Sequence, residues 1–206
     1  MSEVRHRHNG VLRAAKKLKK TEIDFTKCQQ LVREIEILSE LDHPYISKLH
    51  EVYDEQDHIT LIMDRCQGID LLKHMSRNVM SSREVASVTK QLLQALSYVH
   101  RKGFAHRDIK PNNILYDPEA KVIKLIDFGI ATQVSPDTMC SDMVGTLVFL
   151  APEVLRRRYN EKCDVWSVGI MLFMMIFRRS PWKGQKDDIL TEINCGDIDY
   201  QGTEWS

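Results

Sequence analysis

The side chains best suited to catalysis lie in one short stretch near the middle of the chain. Residues 106–113 read HRDIKPNN, and the triplet Asp127-Phe128-Gly129 follows an apolar run. Together they supply two carboxylates, an ammonium group and a carboxamide, which can hold Mg²⁺, orient a hydroxyl and neutralise phosphoryl charge. The stretch therefore predicts a site of phosphoryl transfer.

Each polar side chain of this set has a role in such chemistry. Asp108 can accept the hydrogen bond of a substrate hydroxyl, and Lys110 can stabilise the transferred group. Asn113 and Asp127 offer the hard oxygen atoms that Mg²⁺ prefers. The alternative for any one of these residues is a solvated polar turn, but the ordered set argues against that alternative for all of them together.

Regular elements with clear apolar patterns flank the stretch. Before it, Ser81 and Glu84 form the capping-box pattern of a helix that ends at Gly103, and after it short strands are predicted at 114–116 and 122–126. The other predicted elements are a helix over 26–41, strands at 48–53 and 58–63, and residues 11–18, which fit a strand or the start of a helix.

The change from strands to helices along the chain predicts an α+β fold of two lobes, at residues 1–66 and 67–206. Two further motifs, Ala151-Pro152-Glu153 and residues 164–169, follow residues 106–113 and Asp127-Phe128-Gly129. These four motifs carry a resemblance of the chain to the eukaryotic protein kinases. It implies the protein kinase fold, with a small antiparallel-sheet N-lobe and a mainly helical C-lobe.

The resemblance also implies an activity. Family members transfer the γ-phosphoryl group of ATP, bound with Mg²⁺, to protein hydroxyls. Their catalytic positions are matched by Asp108, Lys110, Asn113 and Asp127. Lys110 resembles the serine/threonine class rather than the tyrosine class, and Thr146 agrees, because family members use such a threonine to brace the loop near Asp108 and Lys110. The expected partners are therefore protein substrates with Ser or Thr.

A nucleotide site is implied by residues on both sides of the predicted lobe boundary. Ala14-Ala15-Lys16 resembles the strand motif whose lysine contacts the ATP phosphates, and Glu34 on the next helix is its expected partner. Lys17 is the alternative lysine, and a surface ion pair of little consequence is the alternative for both charges. The remaining nucleotide-binding positions implied by the resemblance are Ala14, Met63, Asp64, Cys66, Asp70 and Leu115. The resemblance implies that Ala14 and Leu115 enclose the adenine ring and that residues 64–66 form the connection between the lobes.

The resemblance also implies internal supports for the catalytic stretch. Family members have an apolar column that is matched here by Leu38, Leu49, His106 and Phe128, although each also fits a plain core position. Asp164 matches the family acid that holds the backbone of the catalytic loop. The alternative for Asp164 is a helix N-cap, and the two roles are compatible.

The sequence departs from the family pattern at both ends. No Gly-x-Gly-x-x-Gly loop precedes Lys16. The family pattern also includes later helices that supply an arginine partner for Glu153, and these 206 residues do not contain them. Because such a glycine loop helps to position phosphates, we expect weak or absent activity for this chain. The alternatives are a catalytically weak or inactive module that binds nucleotide or partners, and a chain that does not fold alone.

Several stretches resemble the calcium-dependent kinases of the calmodulin-kinase branch. They are Asp-His-Pro at 42–44, Asp142, Tyr159–Ser167, Trp182–Gln185 and Gly202–Trp205. Asp142 either pairs with Arg107 without phosphorylation or is a solvent-exposed loop acid, and Thr138 and Ser141 are candidate phosphosites. The sequence contains no Asp-x-Asp-x-Asp-Gly calcium loop, so the calcium-sensor segment is expected outside this chain.

Composition argues against a nucleic-acid-binding protein and a membrane-spanning protein. The 29 basic and 29 acidic side chains balance, which argues against a nucleic-acid partner. The longest apolar run, Val168–Phe177, is too short for a membrane span, and no apolar leader opens the sequence. Five cysteines without a Cys-x-x-Cys pair predict reduced thiols and a cytoplasmic location.

Overall fold

A computed structural model describes residues 2–135 and 139–200. Its strands are β1 (Ser2–Arg5), β2 (Leu12–Lys19), β3 (Leu49–Asp54), β4 (His58–Asp64), β5 (Ile69–Asp70), β6 (Phe104–Ala105), β7 (Ile114–Asp117), β8 (Val122–Leu125) and β9 (Thr132–Gln133). Its α-helices are α1 (Phe25–Glu40), α2 (Leu71–Arg77), α3 (Ser82–Arg101), α4 (Pro152–Leu155), α5 (Cys163–Phe177) and α6 (Lys186–Cys195).

An antiparallel sheet with strand order β1-β2-β4-β3 forms the first part of the molecule, and α1 follows β2 in the chain. The segment that fitted either a strand or a helix start is the strand β2. It pairs with β1 on one side and β4 on the other, so its backbone groups are satisfied by the ladders rather than by a helix. Asp24 caps α1, because its side chain accepts a hydrogen bond from Lys27 N–H at 2.8 Å.

The second part is mainly helical. The predicted capping box of α3 is confirmed, since Glu84 N–H donates to Ser81 Oγ at 3.3 Å and Ser81 N–H donates to Glu84 Oε2 at 3.4 Å. The apolar face of α3 is fully buried from Val88 to Val99 and packs against α5. Helix α5 has 15 residues, and within the described ranges no helix is long and apolar enough to cross a membrane.

The β7–β8 hairpin connects the two parts. Ser47 N–H donates to the Leu125 carbonyl at 2.9 Å, and Leu125 N–H donates to the Tyr45 carbonyl at 2.8 Å. The predicted α+β, two-lobed architecture is confirmed, whereas the boundary between residues 66 and 67 stays a prediction. All five cysteines lie in the described part of the chain and are free thiols.

Candidate active site

Asp164 holds the catalytic stretch in place. Its side chain is completely buried and accepts hydrogen bonds from three donors: His106 N–H at 2.9 Å, Arg107 N–H at 2.8 Å and His100 Nε2 at 2.8 Å. Arg107 has a φ of 67°, an uncommon conformation for a residue with a side chain, and the bond to its N–H supports that conformation. The N-cap alternative is wrong, because α5 begins at Cys163 and Lys162 is its N-cap.

Asp108 lies at the centre of a compact network. Thr146 Oγ1 donates to Asp108 Oδ1 at 2.7 Å, and Lys110 Nζ lies 2.7 Å from Asp108 Oδ2. Lys110 Nζ also donates to Thr146 Oγ1 at 2.9 Å, while Asn113 Nδ2 donates to both the Asp108 carbonyl and Oδ2 at 2.9 Å. The structure therefore brings together three of the predicted catalytic residues and the predicted bracing threonine.

The network sets the charge of Asp108. Burial by itself would raise the pKa of this carboxyl, but the hydrogen bonds from Lys110 and Thr146 outweigh burial and hold the pKa below its ordinary value. The group is consequently ionised at neutral pH and can accept a hydrogen bond from a hydroxyl. Its negative charge is lost only when the pH falls through that lowered pKa.

The oxygens of Asn113 and Asp127 fit a magnesium ion. Because Asn113 Nδ2 faces the acceptor oxygens of Asp108, its Oδ1 is directed away from them. Ile126 N–H donates to the Asn113 carbonyl at 2.9 Å, which places Asp127 beside Asn113, and the Asp127 side chain is exposed. The described residues contain no group of three or more His, Cys, Asp or Glu that could hold a metal ion, but Mg²⁺ is commonly bound by one or two protein oxygens together with substrate phosphates and water.

Lys16 and Glu34 form the predicted ion pair. Lys16 Nζ lies 2.9 Å from Glu34 Oε1 and 3.2 Å from Oε2, and it joins β2 to α1. Glu34 is only 5% exposed, which distinguishes the contact from an ordinary surface pair. Lys17 points to the other face of β2 and is exposed, so the structure favours Lys16 over this alternative.

The other predicted nucleotide-binding residues fall into two groups on neighbouring strands. Ala14 lies opposite Met63 in the β2–β4 pair, and Asp70 lies opposite Leu115 in the β5–β7 pair. The chain from Asp64 to Gly68 links the groups and contains Cys66, whose Sγ lies 3.9 Å from Ser47 Oγ. Their contacts with ATP stay predictions.

Besides its predicted role in nucleotide binding, Asp70 has a structural role that the sequence analysis missed. Its Oδ1 accepts a hydrogen bond from Lys73 N–H at 2.9 Å, which caps α2, and its Oδ2 lies 2.8 Å from Lys73 Nζ. The signal was present in the sequence, because an acid directly before an apolar-periodic segment is an N-cap pattern.

The predicted internal column is largely buried. The rings of His106 and Phe128 lie 4.7 Å apart, Leu38 is in the same core, and Leu49 packs against it. Burial lowers the pKa of His106, so its ring is neutral. Asp108 N–H donates to His106 Nδ1 at 3.2 Å, so the ring proton is on Nε2, which faces the Ile126 carbonyl at 3.2 Å.

The predicted contact between Arg107 and Asp142 is present but weak. Arg107 Nη1 lies 3.4 Å from Asp142 Oδ2, and the Asp142 side chain is 68% exposed. Tyr159, which the sequence analysis did not single out, makes the shorter contacts: its hydroxyl accepts from Arg107 Nη1 at 3.1 Å and donates to the Asp142 carbonyl at 2.8 Å. No local pattern could have indicated this role, because Tyr159 is far along the chain from both partners.

The remaining predictions concern Glu153, the candidate phosphosites and the stretch at residues 202–205. Glu153 is half-buried and forms no ion pair with the residues that the structure describes. Ser141 is exposed. The candidate phosphosite Thr138 and the stretch Gly202–Trp205 lie outside the described residues.

The geometry predicts that Tyr159 contributes more to holding Arg107 in place than Asp142 does. Tyr159→Phe removes one hydrogen-bond partner of the buried Arg107 guanidinium and should lower the free energy of unfolding by about 1–3 kcal/mol. Asp142→Ala should cost no more than about 1 kcal/mol, because the carboxylate is largely solvated. Urea unfolding of the two variants beside the wild type measures both effects. A larger loss for Asp142→Ala would show that the carboxylate is the main anchor.

Comparison with known proteins adds to this geometry. A family model described as protein kinase domain matches residues 1–203. Calcium-dependent protein kinase 5 of Plasmodium berghei is 34% identical over 205 residues, covering 98% of this chain and 36% of that protein. Calcium-dependent protein kinase 4 of Plasmodium falciparum is 35% identical over 198 residues, covering 93% and 38%. Serine/threonine-protein kinase PEPKR2 of Arabidopsis thaliana is 37% identical over 202 residues, covering 97% and 42%. The chain thus spans less than half the length of these curated relatives.

Proposed function

The chain belongs to the protein kinase family, and from that premise we propose that it transfers the γ-phosphoryl group of ATP to serine and threonine hydroxyls of proteins. The observation that carries the proposal is the assembled network of Asp108, Lys110 and Thr146. It holds an ionised carboxylate next to an ammonium group, as transfer to a hydroxyl requires.

The side chains have distinct tasks in this proposal. Asp108 accepts the hydrogen bond of the substrate hydroxyl and orients its oxygen toward the phosphoryl group. Lys110 lies beside Asp108 and faces the negative charge of the transferred group. Lys16, held by Glu34, contacts the α and β phosphates. A Mg²⁺ ion held by Asn113 and Asp127 would neutralise phosphate charge.

Substrate class and location follow as parts of the same proposal. Lys110 and Thr146 support serine and threonine as acceptors, since they contact each other beside Asp108 as the serine/threonine resemblance leads one to expect. The five free thiols support a cytoplasmic location, and the balanced charge supports partners other than nucleic acids. The binding-only alternative gains no support from this site, because its catalytic groups are assembled.

A direct transfer assay tests the proposal. The purified chain is incubated with ATP labelled at the γ-phosphate, Mg²⁺ and three matched peptides whose only acceptor is Ser, Thr or Tyr. The sequence analysis expected weak or absent activity, whereas the assembled network favours transfer. We therefore expect label on the Ser and Thr peptides, none on the Tyr peptide, and none after Mg²⁺ is chelated. Nucleotide binding is measured in parallel with and without Mg²⁺. Binding without transfer to any peptide would contradict the proposal and identify a binding-only module.

A further inference from the structure

Asp64, the last residue of β4, is the centre of a charge cluster outside the catalytic network. Its Oδ1 lies 2.8 Å from His50 Nε2 on β3 and 3.4 Å from Arg13 Nη1 on β2. Its Oδ2 lies 3.1 Å from Lys124 Nζ on β8. One carboxylate therefore contacts basic side chains from three other strands, and among the described residues only its contact with Lys124 reaches the β7–β8 hairpin.

The contact with Lys124 joins the two parts of the molecule beside their connecting segment. Lys124 Nζ also donates to the Ile46 carbonyl at 3.2 Å, so the lysine contacts two points of the sheet-bearing part. The backbone hydrogen bonds of Leu125 with Ser47 and Tyr45 lie at the same junction. The ion pair is thus one component of a local junction between β4 and β8.

This junction lies next to the residues predicted to enclose the adenine ring. Asp64 directly follows Met63, which is opposite Ala14 in the sheet. Lys124 is directly opposite Leu115 in the β7–β8 pair, and opposite residues of an antiparallel pair point to the same face. The ion pair therefore links the residue next to Met63, the partner of Ala14, to the residue opposite Leu115.

The carboxylate is well suited to a lasting contact. Its side chain is 21% exposed and that of Lys124 is 25% exposed, so water screens the pair less than it screens an open surface pair. Burial by itself would raise the pKa of Asp64, but the bonds from His50 and Lys124 outweigh it and lower the pKa. Asp64 is accordingly ionised at neutral pH.

We propose that Asp64 is a positioning residue that sets the separation of Ala14 and Leu115 through its ion pair with Lys124, and thereby sets the affinity for the adenine nucleotide. The effect on nucleotide affinity rests on the proposed function, whereas the contact between Asp64 and Lys124 does not. It assigns a role to the Asp64 side chain, whereas the family resemblance implied only that the residue lies in the nucleotide-binding connection.

Two substitutions and one matched control test the inference. Asp64→Asn and Lys124→Met each remove the charge pair between β4 and β8, while Arg13→Ala removes an Asp64 partner from the same sheet and leaves that pair intact. We expect Asp64→Asn and Lys124→Met each to weaken binding of a fluorescent ATP analogue by roughly fivefold or more, and the double variant to be no weaker than the single ones. Arg13→Ala should change affinity by less than about twofold, as for a partly exposed pair.

Hydrogen exchange gives a readout that does not depend on nucleotide. The amides of Ser47 and Leu125 should exchange faster in Asp64→Asn and Lys124→Met, but not in Arg13→Ala. Unchanged exchange in Asp64→Asn and Lys124→Met would contradict the claim that the ion pair stabilises the junction between β4 and β8. Faster exchange with unchanged nucleotide affinity would overturn the positioning role, and so would additive losses in the double variant. If the wild type binds no nucleotide, the positioning role fails together with the proposed function, whereas faster exchange would still support the junction.

Discussion

Replacing Asp108 with asparagine is expected to lower the rate of phosphoryl transfer by about 10²–10⁴-fold. The substitution removes the negative charge that Lys110 and Thr146 contact. It also places an amide group, which accepts through only one of its two heavy atoms, where three donors converge. The variant is left without an anionic acceptor for the substrate hydroxyl.

The measurement is the initial rate of labelled phosphate transfer to the serine peptide, with nucleotide affinity determined on the same protein. Asp108 is predicted to act on the hydroxyl and Asp127 on Mg²⁺, so Asp127→Asn is the informative comparison. We expect Asp108→Asn to retain Mg²⁺-dependent nucleotide binding and Asp127→Asn to weaken it. A rate for Asp108→Asn within about tenfold of the wild type would exclude Asp108 as the group that orients the hydroxyl.

Replacing Asp164 with alanine is expected to give a large loss of stability. Three donors, His106 N–H, Arg107 N–H and His100 Nε2, would lose their acceptor in a fully buried site. Removing a buried partner of this kind costs about 3–5 kcal/mol, which is a large share of the roughly 5–15 kcal/mol that stabilises a typical domain. The backbone conformation of Arg107 would also lose its support.

Urea and thermal unfolding measure this loss, with Asp57→Asn as the control because Asp57 is an exposed acid in the β3–β4 turn. If Asp164→Ala does not fold, His100→Ala provides the graded test. It removes one donor and keeps the carboxylate bonds to the loop, so we expect a loss of about 1–3 kcal/mol. An unfolding free energy for Asp164→Ala within about 1 kcal/mol of the wild type would contradict the assigned role.

Elements with local signals were predictable from the sequence. The capping box of α3 and the N-cap of α1 each join residues three positions apart in the sequence. The residues of the local sequence pattern are therefore the same residues that form the hydrogen bonds. The assignment of residues 11–18 was not decidable, because a short segment of mixed polarity fits both periods. Pairing with β1 and β4, which depends on distant residues, made it a strand.

Family motifs extended the predictions to some distant contacts. The pairing of Lys16 with Glu34 and the bracing of Asp108 by Thr146 were expected from the resemblance, and both are present. The resemblance did not indicate which partner of Arg107 is the stronger one. That depends on burial, since Tyr159 is 2% exposed and Asp142 is mostly solvated.

The sequence by itself determined the chemistry of this protein's candidate site, because Asp108, Lys110 and Asn113 lie within six residues and must share one loop. Only the tertiary structure decided how these groups are held and charged. Asp164 binds the loop from across 57 residues, and Asp64 contacts basic side chains from three strands. Such contacts depend on strand register and on burial, which arise only when distant segments pack together.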